Sequence, residues 1–472
     1  MTTLSFLWHD YETWGDDPRR DRVAQFAAIR TDADLQEIDK PINIFCKPTA
    51  DFLPHPDAAL ITGITPQKAD KDGLIEAEFF TQIYDHFIKP GTCGVGYNSI
   101  RFDDEVTRSG FYRNFLDPYA REWQGGNSRW DIIDLVRMTY ALRPEGINWP
   151  EGENGLPSFR LELLTAANNI AHEGAHDALS DVRATIALAR LIKEKQPKLF
   201  DYYLSFRNKT TAQAQLGLRD KKACLHISGM YSVEQGCIAP VMPLFQHPVN
   251  SNEVIVLDLR QSPDYLLSLT AEQMAENLYS KTADLPDGVS RIGLKGVHIN
   301  KSPALAPVST LSAEKAEQWQ INWERVERYR QQVLQDKSLP GRLHELYSQT
   351  RKFADMDVDA AIYQGFITKA DRETCNRLLK QKPEQRIEMP PQFADQRLNA
   401  LYPRYLARNW LHLLSESQQQ QWQDFCKARL LEGDFGSTLT LDKYQERLQQ
   451  LAAGELTDKQ QAIVMALVKW VS

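Results

Sequence analysis

The chain has 472 residues, 42% of them hydrophobic, 25% charged and ten of them tryptophan. That is too long for one ordinary domain and rich enough to build more than one core, so two to four domains are expected. A formal net charge of -8 excludes a generally basic nucleic-acid binder. Any nucleic-acid surface must gather its positive charge locally.

The first apolar run ends in Trp8-His9-Asp10-Tyr11-Glu12-Thr13. Leu4, Phe6 and Trp8 alternate with smaller or polar residues, which reads as a β-strand leaving a core. Side chains alternate across a strand, so Asp10 and Glu12 project from one face. Two adjacent carboxylates repel each other, and a hard divalent cation removes that cost. On its own the pair fits a solvent-exposed edge as well, so other segments must supply partners.

Val23 to Arg30 and Ile42 to Cys46 read as the next two strands of a meander. Thr65 before Pro66 marks a helix start, and Phe79, Ile83 and Phe87 stripe a helix from Ile75 to Phe87. A short strand, Cys93 to Tyr97, runs into a helix from Glu105. This places Asp103 at the carboxyl end of a strand, where sites in α/β sheets gather. Gly91, Gly94 and Gly96 do not fit a phosphate-cradling spacing and lack its lysine. Asp131 reads as the N-cap of a helix to Leu142 rather than as a ligand. Arg160 falls in or near the first turn of a helix begun at Ser158, where the helix dipole does not favour a cation. Either an anionic partner or plain solvent exposure accounts for it.

Leu179, Val182, Ile186 and Ala189 stripe the next helix. His176 and Asp181 lie five residues apart, too far round one regular helix to face the same way. Both converge if His176 lies in the loop before it. From about Phe200 short β-type runs (Ala223–Ile227, Cys237–Met242, Glu253–Leu257, Val297–Ile299) read as a small barrel or sandwich with a helix, Ala271–Tyr279, inserted. From Ser312 the chain is helical, interrupted between Pro383 and Pro391.

Asp10, Glu12, Asp103 and Asp181 form a carboxylate set without cysteine, which suits Mg²⁺ or Mn²⁺ rather than zinc. In two-metal phosphodiester hydrolysis, Asp10 would bridge the ions, with Glu12 and Asp181 completing one shell and Asp103 holding the other ion partly through water. His176 fits the general base. The six scattered cysteines exclude a zinc ribbon and a disulfide scaffold. No leader-like segment and no apolar run of membrane length is seen, so a cytoplasmic protein is expected.

These residues carry a resemblance. Asp10-x-Glu12-Thr13, Asn98-x3-Phe102-Asp103 and His176-x4-Asp181 resemble the three motifs of the DEDDh exonucleases. The stretches Leu60–Pro66, Gly96–Asn98, Arg101–Arg108, Tyr140–Pro150 and Leu156–Leu161 narrow it to the bacterial exonuclease I family. The resemblance implies an α/β fold: a ribonuclease H-like mixed-sheet exonuclease domain over 1–197, an SH3-like β domain with inserted helices over 198–350, and an α-helical C-terminal domain over 351–472. It implies a Mg²⁺-dependent enzyme of DNA repair and recombination, with two ions expected and Mn²⁺ a possible substitute. Such an enzyme degrades single-stranded DNA from the 3′ end to 5′-mononucleotides.

Substrate contacts are expected at Glu12, Trp14, Arg108 and Arg160, the two arginines mainly by resemblance. Trp14 reads equally as a stacking surface or a core anchor. The resemblance also implies a second partner, the acidic, aromatic-ended tail of single-stranded DNA-binding protein, in a basic pocket at Arg143, Tyr202 and Lys222. A monomer is expected. Two other readings remain: a ribonuclease T-like enzyme acting on RNA, against which the long extension speaks, and an inactive binding scaffold, against which the intact motif set speaks.

Overall fold

A computed structural model describes residues 3–172, 177–286, 288–348 and 356–471. The chain forms two compact units. One comprises Met1–Ser128, Ala171–Ile186 and Phe353–Ser472; the other comprises Arg129–Ile170 and Ala187–Lys352.

The sheet of the first unit is built around β1 (Ser5–Thr13). β1 pairs antiparallel with β2 (Val23–Thr31), which pairs antiparallel with β3 (Ile42–Phe45), and on its other side β1 runs parallel to β4 (Thr92–Gly96). The sheet is therefore mixed. β1 is central: Phe6, Leu7 and Trp8 are fully buried although successive residues face opposite ways, so both faces are covered. The Trp8 indole N–H donates to Thr31 Oγ1 across the β1–β2 pair, 2.8 Å.

After β3 come α1 (Pro56–Thr62), α2 (Pro66–Asp72), α3 (Glu76–Phe87) and, past β4, α4 (Asp103–Arg113). Thr65 caps α2 as expected, its side chain accepting from Lys68 N–H. Phe79, Phe80, Ile83 and Phe87 of α3 and Val106 and Phe111 of α4 cover one sheet face with Leu7, Tyr11 and Phe26. Gly110 of α4 permits this approach, because a Cβ there would lie 2.1 Å from the Phe80 ring. Every residue of α4 is buried; the C-terminal helices of the same unit close its far side, Phe115 stacking on Phe393 and packing edge-on against Tyr405.

At Ser128 the chain enters β5 (Ser128–Asp131), followed by α5 (Ile132–Leu142), α6 (Leu161–Ala167) and α7 (Ala178–Lys195). Asp131 is the expected N-cap, its Oδ1 accepting from Ile133 N–H at 3.0 Å. The second unit holds a five-stranded antiparallel sheet in the order β10-β6-β7-β8-β9. Its strands are β6 (Cys224–Ile227), β7 (Ile238–Gln246), β8 (Glu253–Asp258), β9 (Leu294–His298) and β10 (Ala304–Pro307). β10 is absent from the sequence reading because Ala-Leu-Ala-Pro lacks β-branched residues; an edge position tolerates its proline. The helical run breaks into segments around Pro383 as expected: Lys369–Leu379 and Gln396–Trp410 flank a short helix, Pro383–Glu388, that Pro383 opens. Among the described residues no helix is long and apolar enough to cross a membrane.

Candidate metal centre

Three carboxylates meet where β1 ends. Asp10 and Glu12, two residues apart on β1, and Asp181 in the first turn of α7 each offer a ligand oxygen, all lying within 4.8 Å of one another. Asp10 is half-buried between the buried His9 and Tyr11, Glu12 is buried, and a bulge between Glu12 and Thr13 ends the regular pairing with β2. Asp103, first residue of α4, adjoins this group without joining it, its Oδ1 accepting Tyr11 N–H at 3.2 Å.

Burial and mutual repulsion act together here. Burial, then the charges on Asp103, Glu12 and Asp181, push Asp10 well above the usual carboxylate range. Burial, then Asp181 and Asp103, push Glu12 up to about 9. A cluster that resists full ionisation and offers oxygen donors at bonding separation fits a hard divalent cation, whose charge would let all its carboxylates ionise.

Two neighbours escaped the sequence reading. His172 Nε2 lies 2.6 Å from Asp181 Oδ1, and its side chain is almost enclosed. Asp177 caps α7, its Oδ1 accepting Ser180 N–H, and its charge adds to the repulsion on Asp10 and Glu12. Only spacing signalled either residue: His172 stands four residues before His176, and Asp177 directly after it. A cavity of about 420 Å³ opens beside Glu12, walled by Thr13, His55, Ile61 and Phe102. His9, inside the same motif, is not part of the site. It is enclosed by Phe87 and Phe26, and burial, helped by Arg121, lowers it to about 4.

Two expected substrate contacts lie inside the protein. Trp14 is fully buried and packs with Ala24, Phe52, Leu53, Tyr444 and Leu467, so it offers no face for a base. Arg108 is also buried. Its Nε and Nη2 donate to Glu122 (2.7 and 3.0 Å), its Nη1 to Glu105 (2.7 Å) and the Tyr363 hydroxyl (3.2 Å). Two enclosed carboxylates share that cation and, together with the Tyr363 hydroxyl, occupy four of its five N–H groups.

Arg160 is the N-cap residue of α6 and exposed, its Nε donating to Glu162. In the second unit Arg143 ends α5 and donates to Leu142 O and Thr310 O, while Tyr202 donates to Gln215 Oε1. Lys222 is exposed just before β6. α5 contacts both the helix Pro197–Leu204, which carries Tyr202, and β6. His176 lies outside the described residues.

Comparison with known proteins agrees with this geometry. A family model described as "Exonuclease" matches residues 7–189, the stretch that supplies every carboxylate of the site. Models for the exonuclease I SH3-like domain and the exonuclease I C-terminal domain match residues 207–349 and 356–472. Exodeoxyribonuclease I of Escherichia coli K12 is 43% identical, over 98% of this chain and 96% of that protein. Exonuclease I from Methylocaldum szegediense superposes with a TM-score of 0.95 at 46% identity, covering 99% of this chain and 98% of that one. The zinc-ion-bound form of an E. coli exonuclease I complex with single-stranded DNA superposes at 0.93 with 42% identity, covering 99% of each chain. The chain belongs to the exonuclease I family.

Proposed function

We propose that this chain is a Mg²⁺-dependent exodeoxyribonuclease that shortens single-stranded DNA from its 3′ end and releases 5′-mononucleotides. The observation that carries this is the convergence of Asp10, Glu12 and Asp181 within 4.8 Å at the open end of a central strand, in a chain similar over nearly its whole length to exonuclease I proteins.

Bound divalent ions, two in number by the carboxylate count, would neutralise the phosphate and make the attacking water acidic enough to react. The protein's part is positional. Asp10, Glu12 and Asp181 would hold the ions, with Asp10 shared between them, and Asp103, whose Oδ1 accepts the Tyr11 N–H, would support the second. His176, two residues before α7 in the sequence, would accept the proton of the attacking water. The cavity beside Glu12 receives the terminal nucleotide, and the exposed Arg160 neutralises a phosphate of the strand. The exposed cations Arg143 and Lys222, with Tyr202 on a helix that also contacts α5, suit the acidic, aromatic-ended tail of a single-stranded DNA-binding protein. The enzyme works as a cytoplasmic monomer.

The test is digestion of end-labelled single-stranded DNA and matched RNA, with free or blocked 3′ ends, with and without Mg²⁺. Wild-type protein should degrade only DNA with a free 3′ end, and only with the ion. Asp10→Ala should abolish turnover while keeping strand binding; undiminished turnover in that variant removes the metal assignment, and preference for RNA removes the substrate assignment.

A further inference from the structure

His172 has no place in the chemistry above, yet its side chain makes a close contact to the carboxylate group from outside it. Its Nε2 stands 2.6 Å from Asp181 Oδ1, a charge-assisted hydrogen-bond distance, and only 7% of its side chain is accessible. It is not itself a member of the ligand group, whose mutually close atoms come from Asp10, Glu12 and Asp181. An ionised carboxylate has no hydrogen to give, so the imidazole must donate through Nε2–H. Such a bond occupies one oxygen of Asp181 and fixes the carboxylate's rotation, leaving the other oxygen to face the ion.

Asp181 needs this support more than its partners do. Asp10 and Glu12 stand on a strand and are both paired with β2, whereas Asp181 extends from the first turn of α7. We infer that His172 is a positioning residue that locks Asp181 as a metal ligand, and so sets the affinity of the site for its divalent ion. The inference rests on the metal-centre reading above. Outer partners of this kind change metal affinity about 10- to 100-fold when removed.

The test uses full-length protein without DNA and follows Mn²⁺ binding by loss of the free-ion electron paramagnetic resonance signal. His172→Ala should weaken binding about tenfold or more. His172→Gln, which can place an N–H where Nε2 was, should stay closer to wild type than to alanine. In an Asp181→Asn background, His172→Ala should cause no further loss. In turnover assays the alanine variant should need more Mg²⁺ for half-maximal rate, with an unchanged KM for DNA at saturating Mg²⁺. Melting in EDTA checks that the variants are folded, and the glutamine variant carries the test should alanine not fold. Wild-type affinity in His172→Ala, equal losses in Gln and Ala, or an added loss on Asp181→Asn each overturn the inference. Failure of wild-type protein to bind Mn²⁺ would instead overturn the metal centre itself.

Discussion

Glu12 and Trp14 sit two residues apart at the end of one strand and have opposite fates. Glu12 faces the other carboxylates, and burial with their repulsion raises it to about 9. Its proton is then retained in the folded chain across pH 4.5 to 9, where the unfolded chain, at 4.5, has lost it. The folded state binds the extra proton, so the contribution of this group to stability falls as pH rises through that window. Mg²⁺ should remove the penalty. The rise in Tm on replacing EDTA with Mg²⁺ should therefore be larger at pH 8.5 than at pH 5.5, by differential scanning fluorimetry; an equal rise at both would contradict the assignment. Trp14, by contrast, is an anchor. Trp14→Ala should cost about 3–5 kcal/mol in urea unfolding and leave the Kd for single-stranded DNA unchanged below the transition. Weaker binding at full stability would restore the stacking role.

Among the elements, the helix Gln396–Trp410 joins the C-terminal segment to the exonuclease core through buried ion pairs. Arg404 and Arg408 lie one turn apart on it, on one face. Arg408 donates from Nη2 to Asp51 Oδ2 (2.8 Å) and from Nη1 to Asp359 Oδ1 (2.8 Å), while Arg404 binds Asp357 and Arg22 also reaches Asp51. Burial alone would raise Asp51, but the charges of Arg408 and Arg22 outweigh it and hold the carboxyl well below its usual range. Removing one partner of a buried pair strands the other. Arg408→Leu should therefore cost about 3–5 kcal/mol by denaturant titration, with part recovered in Arg408→Leu/Asp51→Asn. A loss under about 1 kcal/mol, the range of surface pairs, would mean the network is wetter than its burial indicates. No single segment announces this network, because its charges come from widely separated places in the chain.

For the whole molecule, the last two helices reach back to the wall of the active site. Leu441–Ala452 and Asp458–Val471 lay Tyr444, Leu448, Ile463, Val464 and Leu467 against Trp14, Phe52 and Leu53. Arg447 pairs with Asp57 of α1, and Gln67 of α2 donates to Ala466 O. α1 carries Ile61, which with His55 walls the cavity beside Glu12. The C-terminal segment thus completes the core behind the catalytic strand. Leu467→Ala, wholly enclosed, should cost about 2–5 kcal/mol and speed protease cleavage near α1 and α2. Unchanged stability would separate the tail from the exonuclease core.

Much of this was legible beforehand, for definite reasons. Alternation along residues 4–12 and the stripe Leu179, Val182, Ile186 set a strand and a helix, and their periods determine which side chains share a face. That places Asp10 with Glu12 and puts Asp181 on α7. The caps at Thr65 and Asp131 follow from local hydrogen bonding in the same way. Tertiary structure alone decided what distant segments lay over each face. Trp14 became core because the C-terminal helices cover it, and Arg108 became an internal counterion because Glu122 and Glu105 enclose it. His172 meets Asp181, nine residues on in the sequence, only in the folded chain. Periodicity states which way a side chain points; only the packed chain states what it meets there.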